Sequence, residues 1–161
     1  MNRGQEVKDL LKLIKNGTVT DREPVYYQKA AKYGEKDYGN TYVEINLTAQ
    51  HLFVYKKGKV VLESDFVSGK DTKKRKTPPG VYGITYKERD ATLVGEDYET
   101  PVSYWMPFNG SIGLHDATWR NKFGANIYLK NGSHGCINMP KDKAAELYGM
   151  VEIGTPVFLF Y

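Results

Sequence analysis

The segment Ser133-His134-Gly135-Cys136-Ile137-Asn138 contains the only cysteine of the 161-residue chain and one of its three histidines. A second histidine, His115, precedes it, with seventeen residues between His115 and Ser133. A cysteine and a histidine elsewhere in the chain are the minimum equipment of a thiol nucleophile and its base. The rest of the chain is therefore interpreted as a scaffold that brings these two side chains together.

Local features around Cys136 are consistent with a reactive thiol. Gly135 leaves room for a substrate backbone beside the sulfur, and the N–H groups of Gly135 and Cys136 are candidate donors to the oxygen of a tetrahedral intermediate. A helix predicted to begin near Pro140 would point its positive end towards the thiol and favour the thiolate. A buried structural cysteine explains a lone Cys equally well, so this chemistry alone leaves both interpretations open.

Composition narrows the class of protein. Thirteen tyrosines, six phenylalanines and two tryptophans favour β structure over a helical bundle. A single cysteine excludes a disulfide within the chain and any site with several cysteine ligands. The net charge of +4 is mildly basic, and no apolar run is long enough for a membrane span or a signal peptide. The sequence thus predicts a soluble chain without a metal or cofactor.

Hydrophobic periodicity predicts a mainly β fold. The spacing of apolar residues over 6–15 is helical, and Asn16-Gly17 is a plausible end for that helix. Alternation begins at Thr41, and His51 to Val67 has the pattern of a β-hairpin around a Lys-Gly turn. Further strands are predicted at 82–86, 111–115, 126–129 and 157–161, and a second helix over Pro140 to Met150. Together they indicate a β-sandwich or open barrel with one packed helix and a short helical N-terminal extension.

Several motifs give the chain a family resemblance. His115, a seventeen-residue spacer and Ser133-His134-Gly135-Cys136-Ile137-Asn138 resemble the signature of the L,D-transpeptidase catalytic domain, the YkuD-like family. Thr77-Pro78-Pro79-Gly80-Val81-Tyr82 and Gly113-Leu114-His115-Asp116 are also similar to family segments, and the likeness spans Tyr42 to Tyr161. It is greatest to Gram-positive members of clostridial or enterococcal type.

The resemblance implies a domain organisation. Residues 41–161 would be the catalytic domain. Residues 1–40 would be an extension left from a preceding peptidoglycan-binding module and its linker, in an excised fragment whose parent carries a membrane anchor upstream.

The resemblance also implies roles for the residues of the motif. Cys136 would be the nucleophile and His115 its base, oriented by the backbone carbonyl of Asp116, whose carboxylate is expected to be solvated. His134 is expected to support the site or contact substrate, and it competes with His115 as the base. Gly135 would supply an oxyanion N–H.

Other residues are predicted to support the site or to contact substrate. Ser133 and Asn138 would hold the catalytic loop by hydrogen bonds. The segment Leu93 to Phe108 is the candidate lid or cleft wall, because acyl transfer requires water to be excluded. The predicted substrate-binding aromatic and apolar side chains are Tyr104, Trp105, Met106 and Trp119, although core packing explains any single one of them equally well.

The implied reaction is acyl transfer on peptidoglycan stem peptides at the outer face of the bacterial cell envelope. Cys136 would attack the third residue of a tetrapeptide donor, release D-Ala, and pass the acyl group to the side-chain amine of a second stem as a 3→3 cross-link. Carbapenem-type β-lactams would be covalent inhibitors. Water as acceptor would make the protein an L,D-carboxypeptidase.

Other interpretations fit the sequence less well. Papain-like and NlpC-type peptidases place the cysteine before the histidine, the reverse of the order here. A non-catalytic wall-binding module would have no use for an intact nucleophile. A metal site on His115, His134 and Cys136 lacks a carboxylate at a fixed spacing. The basic loop Lys70 to Lys76 is a solvated loop or a contact to the anionic wall, and it carries no interleaved aromatic residues for nucleic acid.

Overall fold

The computed structural model describes residues 3–22, 39–95 and 98–161. The chain divides into two compact units, Met1–Ala30 and Ala31–Tyr161. The expected linker to the catalytic domain falls largely in 23–38, outside the described residues, so the predicted boundary at residue 40 and the origin of residues 1–40 stay predictions. No helix within the described ranges has the length and apolar character needed to cross a membrane.

Most of the described elements are strands. In chain order they are α1 (Arg3–Lys15), β1 (Tyr42–Asn46), β2 (His51–Lys56), β3 (Lys59–Asp65), β4 (Gly80–Gly83), β5 (Glu88–Val94), β6 (Glu99–Asn109), β7 (Ile112–Asp116), α2 (Ile127–Asn131), β8 (Ile137–Met139), α3 (Lys141–Met150) and β9 (Pro156–Phe160). The mainly β fold with a helix near its C-terminus and a helical N-terminal extension is confirmed.

Helix α1 forms most of the described part of the first unit. It ends at the predicted position, where Gly17 has a φ of 61° and donates its N–H to the Ile14 carbonyl at 3.1 Å. Glu6 forms an ion pair of 3.0 Å with Arg22. The apolar face of α1 is not buried against the described residues, since Leu10 is 43% and Ile14 is 73% exposed.

Two mixed sheets build the second unit. One has the strand order β3-β2-β1-β9-β4 and the other β5-β6-β7-β8. The predicted hairpin β2–β3 turns at Lys57 and Gly58, whose φ angles of 53° and 75° suit a tight two-residue hairpin turn. The pairs β1–β9 and β7–β8 are parallel. The second parallel pair matters most for function because it aligns the histidine and cysteine segments.

The main core is formed by the alternating apolar positions of these strands and by one face of α3. Val43, Ile45, Leu114 and Ile137 are fully buried, and Leu147 of α3 packs with them. Alternation predicted β1, β2 and β3, in which buried and accessible residues tend to alternate. The strands β5, β6 and β8 were not predicted, and β6, β7 and β8 are buried at consecutive residues rather than on one face. The β7 and β8 strands are therefore held rigidly by the packing behind them.

One predicted strand is wrong. Residues 126–129, Asn-Ile-Tyr-Leu, begin the five-residue helix α2, and the Leu129 N–H bonds to the Asn126 carbonyl at 3.2 Å. Four residues are too few for the helical and extended periods to be told apart. The helix has no buried residue, so no core contact imposes the extended conformation that isoleucine and tyrosine favour.

Candidate active site

A cavity of about 220 Å³ brings the predicted nucleophile and base together. Its described lining residues are Leu93, Tyr98, Thr100, His115, Trp119, Arg120, Gly132, Ser133, His134, Cys136 and Asn138. Leu93, Tyr98 and Thr100 come from the β5–β6 hairpin, which forms one wall, as expected for the segment Leu93 to Phe108. Since pockets for drug-sized ligands usually hold about 300–1,000 Å³, this cavity would admit only the reacting end of a larger substrate.

Parallel pairing of β7 with β8 explains how residues so far apart in sequence share one cavity. Leu114 pairs with Ile137, and His115 pairs with Asn138. Cys136 immediately precedes β8, so it lies at the end of the strand beside the histidine strand. The sheet register thus fixes both side chains on rigid backbone, which a catalytic pair requires.

The His115 imidazole is oriented by a backbone carbonyl. Its Nδ1 lies 2.8 Å from the Asp116 carbonyl oxygen, and because that oxygen only accepts, Nδ1 carries the proton. The other ring nitrogen, Nε2, is then an acceptor. Burial lowers the pKa of His115, and the positive charge of Arg120 lowers it further. His115 is therefore neutral at pH 7, as a general base must be.

The Asp116 carboxylate is buried, so the expectation that it is solvated is wrong. Asp116 is 2% exposed, and its Oδ1 accepts the N–H groups of Ser103 at 2.8 Å and Tyr104 at 2.9 Å. These bonds satisfy a buried charge and join the end of β7 to β6. The side chain therefore supports the position of the carbonyl that orients His115.

The Cys136 thiol is buried and protonated at neutral pH. It is 8% exposed, and its Sγ donates to the Ser111 carbonyl oxygen at 3.5 Å. Burial raises the pKa of the Cys136 thiol to about 11, although the Gly113 N–H opposes this by stabilising the thiolate. The expectation of a favoured thiolate is wrong, because desolvation outweighs the contribution of the Gly113 N–H.

The resting pair is thus a neutral thiol and a neutral imidazole, which predicts a pH profile. At pH 8 only about one thiol in a thousand is ionised if its pKa is about 11. Iodoacetamide reacts with the thiolate, and its iodide leaves without a proton, unlike the expected acylation, in which His115 would return a proton to the leaving amine. We therefore expect the rate of Cys136 alkylation by iodoacetamide to rise about tenfold per pH unit from pH 7 to 10, without a plateau. Intact-protein mass spectrometry measures this rate, and a plateau below pH 8 would contradict the neutral pair.

Two hydroxyl groups brace the loop that carries Cys136. Ser133 Oγ donates to the Cys136 carbonyl at 2.6 Å and accepts the Gly135 N–H at 3.0 Å. Thr77 Oγ1 donates to the Gly135 carbonyl at 2.7 Å and accepts the Gly69 N–H at 2.9 Å. The geometry fits the structural role predicted for Ser133, whereas Thr77 was not foreseen.

The Gly135 N–H does not have the predicted role of a free oxyanion donor, because it is already bonded to Ser133 Oγ. The glycine is instead required by its backbone, since φ is 141°, in the region that side chains rarely adopt. The Cys136 N–H makes no hydrogen bond within the described residues and remains a candidate donor.

His134 and Asn138 also line the cavity. The His134 ring lies 4.7 Å from the Tyr98 ring between centroids, at an interplanar angle of 44°. Asn138 is 2% exposed, and its Oδ1 has no hydrogen-bond partner among the described residues. Its backbone, rather than its side chain, ties the loop to Val67 through two bonds of 2.9 Å. The side-chain oxygen is therefore an available acceptor at the cavity wall.

The four predicted substrate-binding residues lie in different places. Trp119 lines the cavity, 50% exposed, with its ring 6.0 Å from that of His115. Trp105 is buried beside His115, at 5.8 Å between ring centroids, and does not line the cavity. Met106 is fully buried in the main core, which excludes contact with substrate, and Tyr104 packs against Tyr148. Of the four, only Trp119 therefore lines the catalytic cavity.

Tyr98 and Arg120 line the cavity but were not singled out from the sequence. Tyr98 falls inside the predicted lid segment, and Arg120 follows Trp119 in the spacer between His115 and Ser133. Their position between motif residues is the signal that would have found them. Among the described residues, no three His, Cys, Asp or Glu side chains are grouped as metal ligands.

A buried thiol and a neutral, oriented imidazole at the edge of a parallel strand pair define a cysteine-nucleophile catalytic domain. Residues 40–159 match the family described as the L,D-transpeptidase catalytic domain, YkuD. This chain belongs to that family.

Solved structures and a curated relative agree with this assignment. A crystal structure of an Enterococcus faecium L,D-transpeptidase mutant is 43% identical, with a TM-score of 0.78, over 98% of this chain and 64% of that one. The catalytic domain from E. faecium L,D-transpeptidase acylated by ertapenem is 49% identical, with a TM-score of 0.68, over 76% of this chain and 98% of that one. The probable L,D-transpeptidase 3 of Mycobacterium tuberculosis is 31% identical over 94 residues, 52% of this chain and 34% of that protein. The chain thus spans about a third of the length of this curated relative.

Proposed function

We propose that this chain catalyses L,D-transpeptidation on peptidoglycan and forms 3→3 cross-links between stem peptides. The observation that carries the proposal is one cavity lined by both Cys136 and His115, with His115 Nδ1 bonded to the Asp116 carbonyl. In that arrangement a thiol and an imidazole with an unprotonated Nε2 face the same cavity, where the carbonyl of a substrate would react. The acylated E. faecium catalytic domain supports a covalent acyl-enzyme in this family.

The acylation step follows from the two neutral groups. As Cys136 Sγ attacks the carbonyl of the third stem residue, at the L-centre of a diamino acid, its proton moves to His115 Nε2. The tetrahedral oxyanion accepts the Cys136 N–H. When the C–N bond breaks, His115 returns the proton to the departing amine of the terminal D-Ala. A thioester on Cys136 and free D-Ala are the products.

The transfer step uses the same groups in reverse. The side-chain amine of a second stem attacks the thioester, His115 accepts a proton from that amine, and the Cys136 thiolate leaves and is reprotonated. Trp119 and the β5–β6 hairpin cover the site and limit the access of water. With water as acceptor the product would be a tripeptide, which is the L,D-carboxypeptidase outcome.

The proposal places the domain at the outer face of the bacterial envelope, where its donor tetrapeptide and acceptor stem are found, with any membrane attachment upstream of this chain. It also makes carbapenem-type β-lactams covalent inhibitors of Cys136. Neither a nucleic acid partner nor a cofactor is needed for the reaction.

Incubation of the parent protein with a disaccharide-tetrapeptide, with and without an acceptor stem, tests the proposal by mass spectrometry of the products. We expect D-Ala release and a cross-linked dimer when the acceptor is present. Release of D-Ala with tripeptide alone, at every acceptor concentration, would replace the transpeptidase by a carboxypeptidase. Neither product, with a folded protein, would refute both activities.

A further inference from the structure

Arg120 places a partly satisfied guanidinium at the wall of the catalytic cavity. Its Nη1 donates to the Asn131 carbonyl, the last residue of α2, at 2.8 Å. Its Nε is buried and has no hydrogen-bond partner within the described part of the chain. A buried donor without an acceptor costs free energy, so the guanidinium is not fully satisfied where it lies. Nη1 anchors the side chain to the protein, and Arg120 lines the cavity.

The charge of the cavity favours an anion. None of its described lining residues is acidic, and Arg120 is the only one of them that carries a permanent positive charge. Burial lowers the pKa of Arg120, but an arginine remains charged throughout the physiological range. The positive charge of Arg120 also acts on the catalytic base, since it contributes to the lowered pKa of His115. A carboxylate entering this cavity would find a partly desolvated cationic partner.

We propose that Arg120 binds the free α-carboxylate of the residue that leaves, and so selects donors that end one residue after the carbonyl attacked by Cys136. This inference rests on the proposed function and names the donor-selecting residue of that site. One residue spans at most about 3.6 Å, so such a carboxylate stays inside the cavity of about 220 Å³. A longer peptide would carry its carboxylate past Arg120.

If Arg120 binds this carboxylate, acylation should depend on Arg120 and the later transfer of the acyl group should not. During acylation the thiol sulfur bonds to the carbonyl carbon, the C–N bond to D-Ala breaks, and the proton passes from Cys136 through His115 to the departing amine. The carboxylate leaves with D-Ala, so the thioester no longer engages Arg120. Loss of Arg120 should therefore slow acylation by free-acid donors and leave the transfer of a preformed acyl group unchanged. A merely structural role for Arg120 would affect both halves.

Two alkylating agents test for an anion site without relying on the proposed reaction. Iodoacetate and iodoacetamide are nearly the same size and differ in charge, and Cys136 is the only thiol. The compared quantity is the alkylation rate with iodoacetate divided by the rate with iodoacetamide. At low salt we expect this ratio to be about tenfold higher for the parent protein than for Arg120→Gln. Arg89→Gln is the matched control, because Arg89 also donates to a backbone carbonyl, that of Ser103 at 3.1 Å, but does not line the cavity. An unchanged ratio in Arg120→Gln, or an equal fall in Arg89→Gln, would overturn the proposal.

If Arg120→Gln fails to fold, the anion site can still be tested with the parent protein alone. At low salt, its ratio of iodoacetate to iodoacetamide alkylation rates should be about tenfold higher than the same ratio for N-acetylcysteine. This difference should shrink as added salt screens the charge. A preference no greater than that of N-acetylcysteine would overturn the proposal. A folded Arg120→Lys variant should retain most of the preference, because the charge is kept.

A donor tetrapeptide and its C-terminal amide test the selectivity itself. We expect the parent to prefer the free acid in kcat/KM by tenfold or more and Arg120→Gln to lose this preference. If the parent releases D-Ala but both proteins discriminate equally, the role of Arg120 is refuted and the proposed function stands. If no D-Ala is released while the alkylation ratio behaves as expected, the anion site stands and the proposed function fails.

Discussion

Replacement of Cys136 by alanine or serine is expected to abolish covalent capture of a carbapenem and all release of D-Ala. Cys136 is the only cysteine of the chain, so no other thiol can form the thioester. The serine hydroxyl can still donate to the Ser111 carbonyl that the thiol contacts at 3.5 Å. Its far higher pKa, however, makes it a much weaker nucleophile towards the same base. We expect a loss of at least a thousandfold in acylation rate for either variant.

Intact-protein mass spectrometry after incubation with ertapenem provides the measurement. The parent should gain the mass of one inhibitor molecule, and both variants should gain none over the same time. Because Cys136 packs in a small cluster with Ala91, Val102 and Trp105, truncation removes little buried surface, and thermal melting should show that both variants fold. An adduct on a folded Cys136→Ala protein would assign the nucleophile to another residue.

The sequence predicted β1 and β7 but not β5, β6 and β8, nor the positions of the side chains beside the site. Alternation identified β1 because only one face of that strand is buried, whereas β7 is buried at four consecutive residues. The same period, applied to β6, separates Trp105 from Met106, since neighbouring residues point to opposite faces. Trp105 lies beside His115 whereas Met106 lies in the main core. The period alone does not say which face lines the cavity, because that depends on the packing of α3 behind β6 and β7.

The motif identified the catalytic pair but not the network that holds it. Nothing in a seventeen-residue spacer specifies that His115 pairs with Asn138 in a parallel register. The Asp116 carboxylate illustrates the same limit, since its two backbone donors come from β6, twelve and thirteen residues earlier. Thr77 lies 58 residues from the Gly135 carbonyl that it contacts. Such long-range hydrogen bonds depend on the assembled sheets and have no local pattern.

Replacement of His115 by glutamine should slow acylation by about a thousandfold, within the range typical of a lost general base. The glutamine amide has an N–H for the Asp116 carbonyl but no basic nitrogen. Without a base, acylation depends on the small ionised fraction of a thiol whose pKa is about 11. The rate of the variant should therefore rise about tenfold per pH unit between pH 7 and 10. The parent rate should be nearly flat there and fall only below the lowered pKa of His115.

The other two histidines provide the controls for this prediction. His134→Gln tests the competing base at the cavity wall, and we expect a loss of less than tenfold with the flat pH profile kept. His51→Gln should leave the rate unchanged, because His51 belongs to β2 in the other sheet and pairs with Asp65 at 2.6 Å. Stopped-flow acylation by ertapenem across the pH range separates the three variants. If His134→Gln acquired the steep profile and His115→Gln kept the flat one, the proton would pass through His134, and the Nδ1 bond of His115 to the Asp116 carbonyl would serve the fold rather than the reaction.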